Sequence, residues 1–323
     1  MSPAAPAGAS PPHARVRQPQ ARLPQARLPQ VRLLPDGRRL HLQDGPIDLI
    51  IEAFGPREAV ETAYRAAVRR LTGLLDALCA ELPRLRAPAG PDQPALSDAV
   101  ARRMAEAVAP HAVRGFITPM AAVAGAVADA VLAAMIAATG PALARAYVNN
   151  GGDIALHLAP GTRFVTGLVD RPDRPGLFAT ATIAAEDLVR GIATSGARGR
   201  SFSRGIADAV TILARDAATA DAAATVVANA VDLDHPGIVR VPACTLQPDS
   251  DLGDRLVTRV VPPLPPAEIA TALDRGVAMA EALRAEGLIA AAALHLQGFT
   301  RTVGPLRHDR DTPLVTDRPE SPP

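Results

Sequence analysis

The segment PMAAVAGAVADAVLAAMIAAT, residues 119–139, constrains this chain more than any other. It is an almost unbroken apolar run of about the length that spans a bilayer. Two features argue against a membrane. The run is mostly alanine, and Asp129 lies near its centre, where a charge is costly in lipid. The other solution is a helix buried on most sides in a globular protein, which needs a large core around it. The composition supplies that core, since 48% of the residues are hydrophobic. With no Trp, two Tyr and six Phe, packing must rest on Ala, Val, Leu and Ile.

At 323 residues the chain suffices for one large domain or two ordinary ones. The first 32 residues alternate Pro, Ala, Gln and Arg, with Gln-Ala-Arg-Leu-Pro at 20–24 repeated at 25–29. This composition predicts a disordered tail over 1–32. It lacks the apolar run of a secretory signal, and its prolines forbid the amphipathic helix of a transit peptide. Residues 301–323, polar and Pro-rich, are expected to form a second disordered tail. A single domain is expected between them, over 33–300.

Within that domain Arg39–Gln43 and Ile47–Ala53 read as strands joined at Asp44-Gly45. Pro56 opens a helix whose Val60, Tyr64, Ala67, Val68, Leu71, Leu75, Leu78 and Leu82 form one apolar stripe, ended by Pro83. A second helix starts near Ser97 and runs to about Val108. Short β-like runs follow the alanine-rich segment at Arg145–Val148, Ile154–Leu158, Arg163–Val169, Leu177–Ile183, Gly191–Thr194 and Ala209–Ala214. Asp216–Val231 and Pro266–Glu286 read as helices, and Leu288–Gln297 as a last strand. Strands and helices come in runs rather than in βαβ alternation. That favours α+β over a doubly wound sheet.

Charge and cysteine usage exclude several function classes. The formal charge is +1, so the basic excess of a general nucleic-acid binder is missing. All 34 basic residues are Arg, which removes Schiff-base and P-loop lysine chemistry. Cys79 and Cys244 make neither a disulfide framework nor a Cys-rich zinc site, and each is expected to be buried as a small hydrophobe. A reducing, cytoplasmic setting without a membrane partner fits these features. The seven His show no metal-binding spacing, and no G-x-G-x-x-G or Walker motif is present.

Three segments could carry chemistry. Asn149-Asn150-Gly151-Gly152-Asp153 could let a ligand approach the backbone closely, and could equally be an ordinary hairpin turn. Gly191–Gly196, reading GIATSG, presents Thr194, Ser195 and free N–H groups for a phosphate or a ring carbonyl, with Arg198, Arg200 and Arg204 close behind. Asp221 and Thr225, four apart on one helix face, form an oxygen-only pair suited to Mg²⁺ or Ca²⁺ that Asp208 could join. Asp221 could instead be a helix-start carboxylate interacting with the dipole.

In this order the three segments resemble the ApbE-like superfamily of flavin transferases, and more closely its shorter cytoplasmic branch of uncharacterised proteins. The matching stretches are Thr118–Asp129, Asn149–Ile154, Gly191–Gly196, Ser201–Val210 and Ala220–Asn229, within residues 38–300. The resemblance implies an ApbE-like, T-fold-related α+β architecture of mixed sheets with packed helices. It implies a flavin pocket of Asn150, Gly151, Gly152, Asp153, Thr194, Ser195, Gly196 and Arg198. It also implies Mg²⁺ bridging the FAD diphosphate, held by Asp221, Thr225 and a backbone carbonyl at Ala122 or Val123. Gly125 and Asp129 fall on the family's glycine and its following aspartate.

The departures concern catalysis. The transferases' His-x-x-Asp-Pro segment is missing. Arg200 stands where the uncharacterised branch usually has His, Ile206 where it has Lys, and Ala124 where the transferases have Lys. Asp208, Arg200 and Ser201 are the remaining catalytic candidates. The expected function is therefore binding of FAD or another diphosphate ligand through Mg²⁺, with metal-dependent flavin or phosphoryl transfer, or a step of cofactor biosynthesis, as its enzymatic form. The alternatives are a non-catalytic flavin, metal or partner protein that kept the fold, and an enzyme using a pterin or nucleotide. The partner class is a small molecule, and a homo-oligomer is compatible with the alanine-rich helices.

Overall fold

The computed structural model describes residues 28–169 and 177–305. The strands are β1 (Gln30–Leu33), β2 (Leu40–Asp44), β3 (Ile47–Phe54), β4 (Arg145–Asn150), β5 (Asp153–Leu158), β6 (Arg163–Val169), β7 (Leu177–Ala184), β8 (Gly191–Ser195), β9 (Ala209–Ala214), β10 (Val239–Pro242), β11 (Leu256–Val260), β12 (Ala291–Leu296) and β13 (Phe299–Val303). The helices are α1 (Arg57–Leu71), α2 (Leu74–Ala80), α3 (Leu82–Leu85), α4 (Ala99–Val108), α5 (Val123–Thr139), α6 (Ala217–Ala230), α7 (Ala243–Leu246) and α8 (Pro266–Ala285). Nine strands form one sheet in the order β1-β2-β3-β4-β5-β8-β9-β12-β13. Its neighbours pair antiparallel throughout. The hairpins β6–β7 and β10–β11 stand apart from it.

Cross-strand partners share a face of a sheet, so the register shows which side each helix covers. Val148 faces Ala155, Ala155 faces Gly191, Ala193 faces Ile212 and Ile212 faces Ala292. This continuous row carries the main core. Its β2–β5 part packs on α1, α4 and α5, and its β8–β13 part on α6 and α8. The opposite face buries Leu156, Ile192 and Leu213 under Ile183 of β7 and Val189. The architecture is α+β, with the helices on one face of an antiparallel sheet.

The alanine-rich run resolves as a short 3₁₀ turn, Pro119–Ala122, followed by α5. By length and composition the stretch Pro119–Ala142 could cross a membrane. Here its Ala126, Val127, Ala128, Val131, Leu132 and Met135 lie in the core formed with α1 and the sheet. Small side chains let α5 and α6 cross closely. A Cβ on Gly125 would come within 2.2 Å of the Ala217 carbonyl oxygen.

Several expectations shift. The single stripe from Pro56 to Pro83 breaks at Gly73, whose φ of 77° ends α1, and the stripe resumes in α2 with Leu74 and Leu78 buried. The cap of α4 is Asp98 rather than Ser97. Its carboxylate accepts from the N–H groups of Val100 and Ala101, while buried Glu81 accepts from those of Ser97 and Asp98. Residues 1–27 and 306–323 of the two expected tails lie outside the described residues. Gln30–Leu33 and Arg301–Val303 are strand residues, because pairing with β2 and β12 satisfies their backbone groups. Cys79 is exposed and Cys244 half-exposed, against the expectation of burial, since the apolar stripe of α2 runs through Leu74 and Leu78 instead.

Candidate functional site

Asn149–Asp153 is the two-residue turn between β4 and β5, with Asn150 paired to Asp153. Gly151 and Gly152 have φ of 67° and 117°, conformations that an L side chain resists. Asn149 Oδ1 accepts from the Gly152 N–H at 2.8 Å. The hairpin reading is therefore right as local structure. Asn150 adds a longer tie: its side chain is buried, and Nδ2 donates to the Ala124 carbonyl at 3.1 Å. The turn is thus fixed against the start of α5.

Asp153 and Asp221 meet near that junction. Asp153 Oδ1 accepts from the Thr194 N–H at 3.3 Å, which joins the GIATSG strand to the turn. Asp221 Oδ2 accepts from the Gly125 N–H at 3.0 Å, at the first turn of α5. Burial raises the Asp153 pKa well above the usual carboxylate range, and the Asp221 charge raises it further. Burial also pushes Asp221 up to about 7, against the N–H groups of Gly125 and Ala124, and the Asp129 charge adds to it. Among the described residues neither Asp153 nor Asp221 has a cationic partner. Two buried acids without a cationic partner are the kind of oxygen donors a hard divalent cation takes, although no group of three or more His, Cys, Asp or Glu gathers into a metal-binding cluster among the described residues. Thr225 lies one turn further along the same face of α6.

A second cluster forms around the glycines of the turn. Asp48, Ile50, Asn149, Gly151, Gly152 and Arg200 line an open cavity of about 250 Å³. Arg200 Nη1 is 3.3 Å from where a Cβ on Gly151 would lie, so its guanidinium covers the turn. Asp48 was not legible as a site residue. It looks like an ordinary outward position of a strand, and it reaches the cavity only because β3 pairs with β4.

Several of the remaining candidates are otherwise engaged. Arg198 Nε donates to Asp208 Oδ1 at 3.2 Å. Asp208 is buried, and its Oδ2 accepts from the Gln297 N–H at 2.6 Å, which pins the β12–β13 turn, where Gln297 has a φ of 46°. Thr194 Oγ1 bonds Thr211 Oγ1 at 2.9 Å within the sheet. Gly196 allows close approach of two backbones, since a Cβ there would lie 2.5 Å from the Asp208 carbonyl oxygen. Ser195 follows Thr194 at the end of β8, and Ser201 is exposed in the β8–β9 loop. Ala122 precedes α5 and Val123 opens it, with the neighbouring Ala124 carbonyl taken by Asn150. His157 and His295 have structural partners, the Leu143 carbonyl at 3.2 Å and Thr300 Oγ1 at 2.8 Å.

Turn, strand end and helix pair are thus joined by the Asn150–Ala124, Asp153–Thr194 and Asp221–Gly125 hydrogen bonds. A family model described as "AbpE bacteria" matches residues 31–302, and the chain belongs to that family, within the ApbE-like superfamily. Its place there is the UPF0280 branch, a set of archaeal relatives. The UPF0280 protein of Methanospirillum hungatei is 39% identical over 127 residues, 36% of this chain and 46% of that protein. The UPF0280 protein of Methanoregula boonei is 34% identical over 197 residues, 55% of this chain and 74% of that protein. The chain spans about half the length of the first curated relatives it matches. Among solved structures, the apo flavinyl transferase ApbE of Pseudomonas stutzeri aligns with a TM-score of 0.44 at 14% identity, covering 85% of this chain and 94% of that one. The ApbE protein of Thermotoga maritima aligns with a TM-score of 0.35 at 17% identity, covering 64% and 88%.

Proposed function

We propose that this protein binds a diphosphate-bearing flavin, FAD in the first instance, with Asp221 and Thr225 of α6 as side-chain ligands of one Mg²⁺ and Asp153 facing it. The observation that carries this reading is the anchoring of two buried acids around one junction, Asp221 on the Gly125 N–H of α5 and Asp153 on the Thr194 N–H beside the turn that Asn150 ties to α5, neither with a cationic partner among the described residues. A divalent ion there would supply charge neutralisation for a diphosphate. The chain's own groups do the rest. The Gly151–Gly152 turn leaves room for a ligand against the backbone and Asn150 holds that turn to α5, while Arg200, with Ile50 and Asn149 on the other face of the sheet, would offer its forked donor to phosphate oxygens that pass around the glycines. Arg198 is committed to Asp208 and acts as a strut for the loop.

The enzymatic form of the proposal is metal-dependent flavin or phosphoryl transfer, which runs largely on electrostatics and positioning. One observation favours a second reading, binding without transfer. Among the residues lining the cavity there is no His, Lys or Cys, and Arg200 cannot serve as a base at neutral pH. Calorimetric titration of FAD into the protein, with Mg²⁺ and with EDTA, tests both readings. Binding that requires Mg²⁺ and disappears in Asp221→Asn supports the site, and release of AMP or FMN on incubation selects the enzyme. Binding indifferent to Mg²⁺ would remove the metal from the proposal.

A further inference from the structure

A larger cavity, about 470 Å³, opens where the C-terminal end of α6 meets β10 and β11. Arg204, Asn229, Asp232, Arg240, Arg255 and Leu256 line it. Arg240 is spent on Asp232, to which it donates, so that pair is neutral. Arg204 and Arg255 have no ion-pair partner among the described residues. Both are held nonetheless. The Arg204 N–H donates to Asn229 Oδ1 at 2.9 Å and its carbonyl accepts from Thr258 Oγ1 at 3.3 Å. The Arg255 guanidinium stacks 3.2 Å above the Phe116 ring. Two uncompensated guanidiniums with fixed bases, facing one cavity of ligand-binding size, create a demand for a compact dianion.

We infer that this cavity is a second, metal-independent site for a phosphate-bearing small molecule, a phosphomonoester or diphosphate, gripped by Arg204, Arg255 and the Asn229 amide. Asn229 is eight residues beyond Asp221 on α6, which puts it about 12 Å further along the axis. The site is therefore distinct from the carboxylate pair and does not depend on a metal there. The competing role for these arginines is complementing the negative end of the α6 dipole, which asks for cations but no ligand.

The test is calorimetric titration of pyrophosphate into the full chain in EDTA, which silences metal-bridged binding at Asp221. The expected result is saturable one-site binding, with the same Kd in Asp221→Asn. The double variant Arg204→Gln/Arg255→Gln should weaken it at least thirtyfold, and each single variant about fivefold. No binding to the wild-type protein, or equal affinity in the double variant, overturns the proposal and leaves the dipole role. Should the double variant not fold, phenylglyoxal labelling of the wild-type protein decides. Pyrophosphate must protect Arg204 and Arg255 from modification, as read by peptide mass spectrometry, while Arg57 on the exposed start of α1 still reacts. Unprotected Arg204 and Arg255 overturn the proposal equally.

Discussion

Asp129 and Asp221 each cap the helix to which the other belongs. Asp129 of α5 accepts from the N–H groups of Ala217 and Ala218 at 3.0 and 2.9 Å, at the start of α6. Asp221 of α6 accepts from the Gly125 N–H at the start of α5. The spacing is the same on both sides, four residues from Gly125 to Asp129 and four from Ala217 to Asp221. The exchange welds the two helix starts together. It also explains how a charge survives in the middle of the apolar 119–139 run: Asp129 has its own helix end to serve.

Burial makes this exchange pH-sensitive. Asp129 is raised to about 6 and Asp221 to about 7, both from an ordinary 3.8. Between about pH 4 and 7 the unfolded chain has released these protons while the folded chain still holds them, so stability falls as pH rises through that window. Asp36 and Glu81, held below the usual range, act in the opposite sense, but at lower pH. The urea midpoint in EDTA should therefore decline from pH 5 to 7.5. Asp129→Asn should flatten the part of the decline below pH 6. A midpoint that rises steadily over this range would contradict the assignment.

Gly125 tests the helix crossing directly. Its φ is helical, so replacing it with Ala would ordinarily stabilise α5 by roughly 0.5–1 kcal/mol. Here the new methyl would meet the Ala217 carbonyl, 2.2 Å from its oxygen and 2.4 Å from its carbon, and backbone cannot yield cheaply. Gly125→Ala should instead destabilise by about 1–3 kcal/mol, the usual cost of overpacking. Denaturant unfolding measures the sign, and the sign is the informative quantity.

Local chemistry was the legible part of the fold. Asp44-Gly45 marked the β2–β3 turn, Ala209–Ala214 was strand β9 to the residue, and Gly191 was the start of β8. What escaped was whatever depends on a distant partner. Val31 and Leu33 of β1 are exposed, so no alternation betrays that strand, which exists because β2 offers an edge. The site divided in the same way. Asn150, Gly151 and Asp221 were visible as motif residues. That Asp153 would accept from the Thr194 N–H, and that Asp208 would serve the β12–β13 turn, follows from the β5–β8–β9–β12 strand order, which no short window of sequence contains.

The arginines of the β8–β9 loop should separate by role. Arg198→Ala removes the partner of a buried carboxylate, and Asp208→Ala leaves the Gln297 N–H without its acceptor. Each should cost about 1–3 kcal/mol in stability. Arg200 has no ion-pair partner among the described residues, so Arg200→Ala should leave the melting temperature within about 1 °C, in keeping with the roughly half a kcal/mol or less typical of surface changes. The same variant should weaken FAD binding about tenfold, as expected for loss of a charge-assisted hydrogen bond. Equal effects of Arg198→Ala and Arg200→Ala on both readouts would show that the loop acts as one structural unit.

Mg²⁺ alone should distinguish a metal site from a helix cap at Asp221. A ligand that binds only the folded chain stabilises it by RT ln(1 + [L]/Kd), about 2.7 kcal/mol at a hundredfold excess over Kd. For the wild-type protein at pH 8, where Asp221 is ionised, millimolar Mg²⁺ should raise the melting temperature by several degrees. At pH 5.5, below the raised pKa of Asp221, the shift should shrink, because Mg²⁺ must then compete with a proton. Asp221→Asn abolishes the shift at both pH values and Thr225→Val reduces it. Asp129→Asn, which removes the cap of α6 and one charge that raises the Asp221 pKa, keeps the shift at pH 8 and loses less of it at pH 5.5. Were Asp221 only a cap for α5, Asp221→Asn would lower the melting temperature by the same amount with and without Mg²⁺, and the metal would move neither protein.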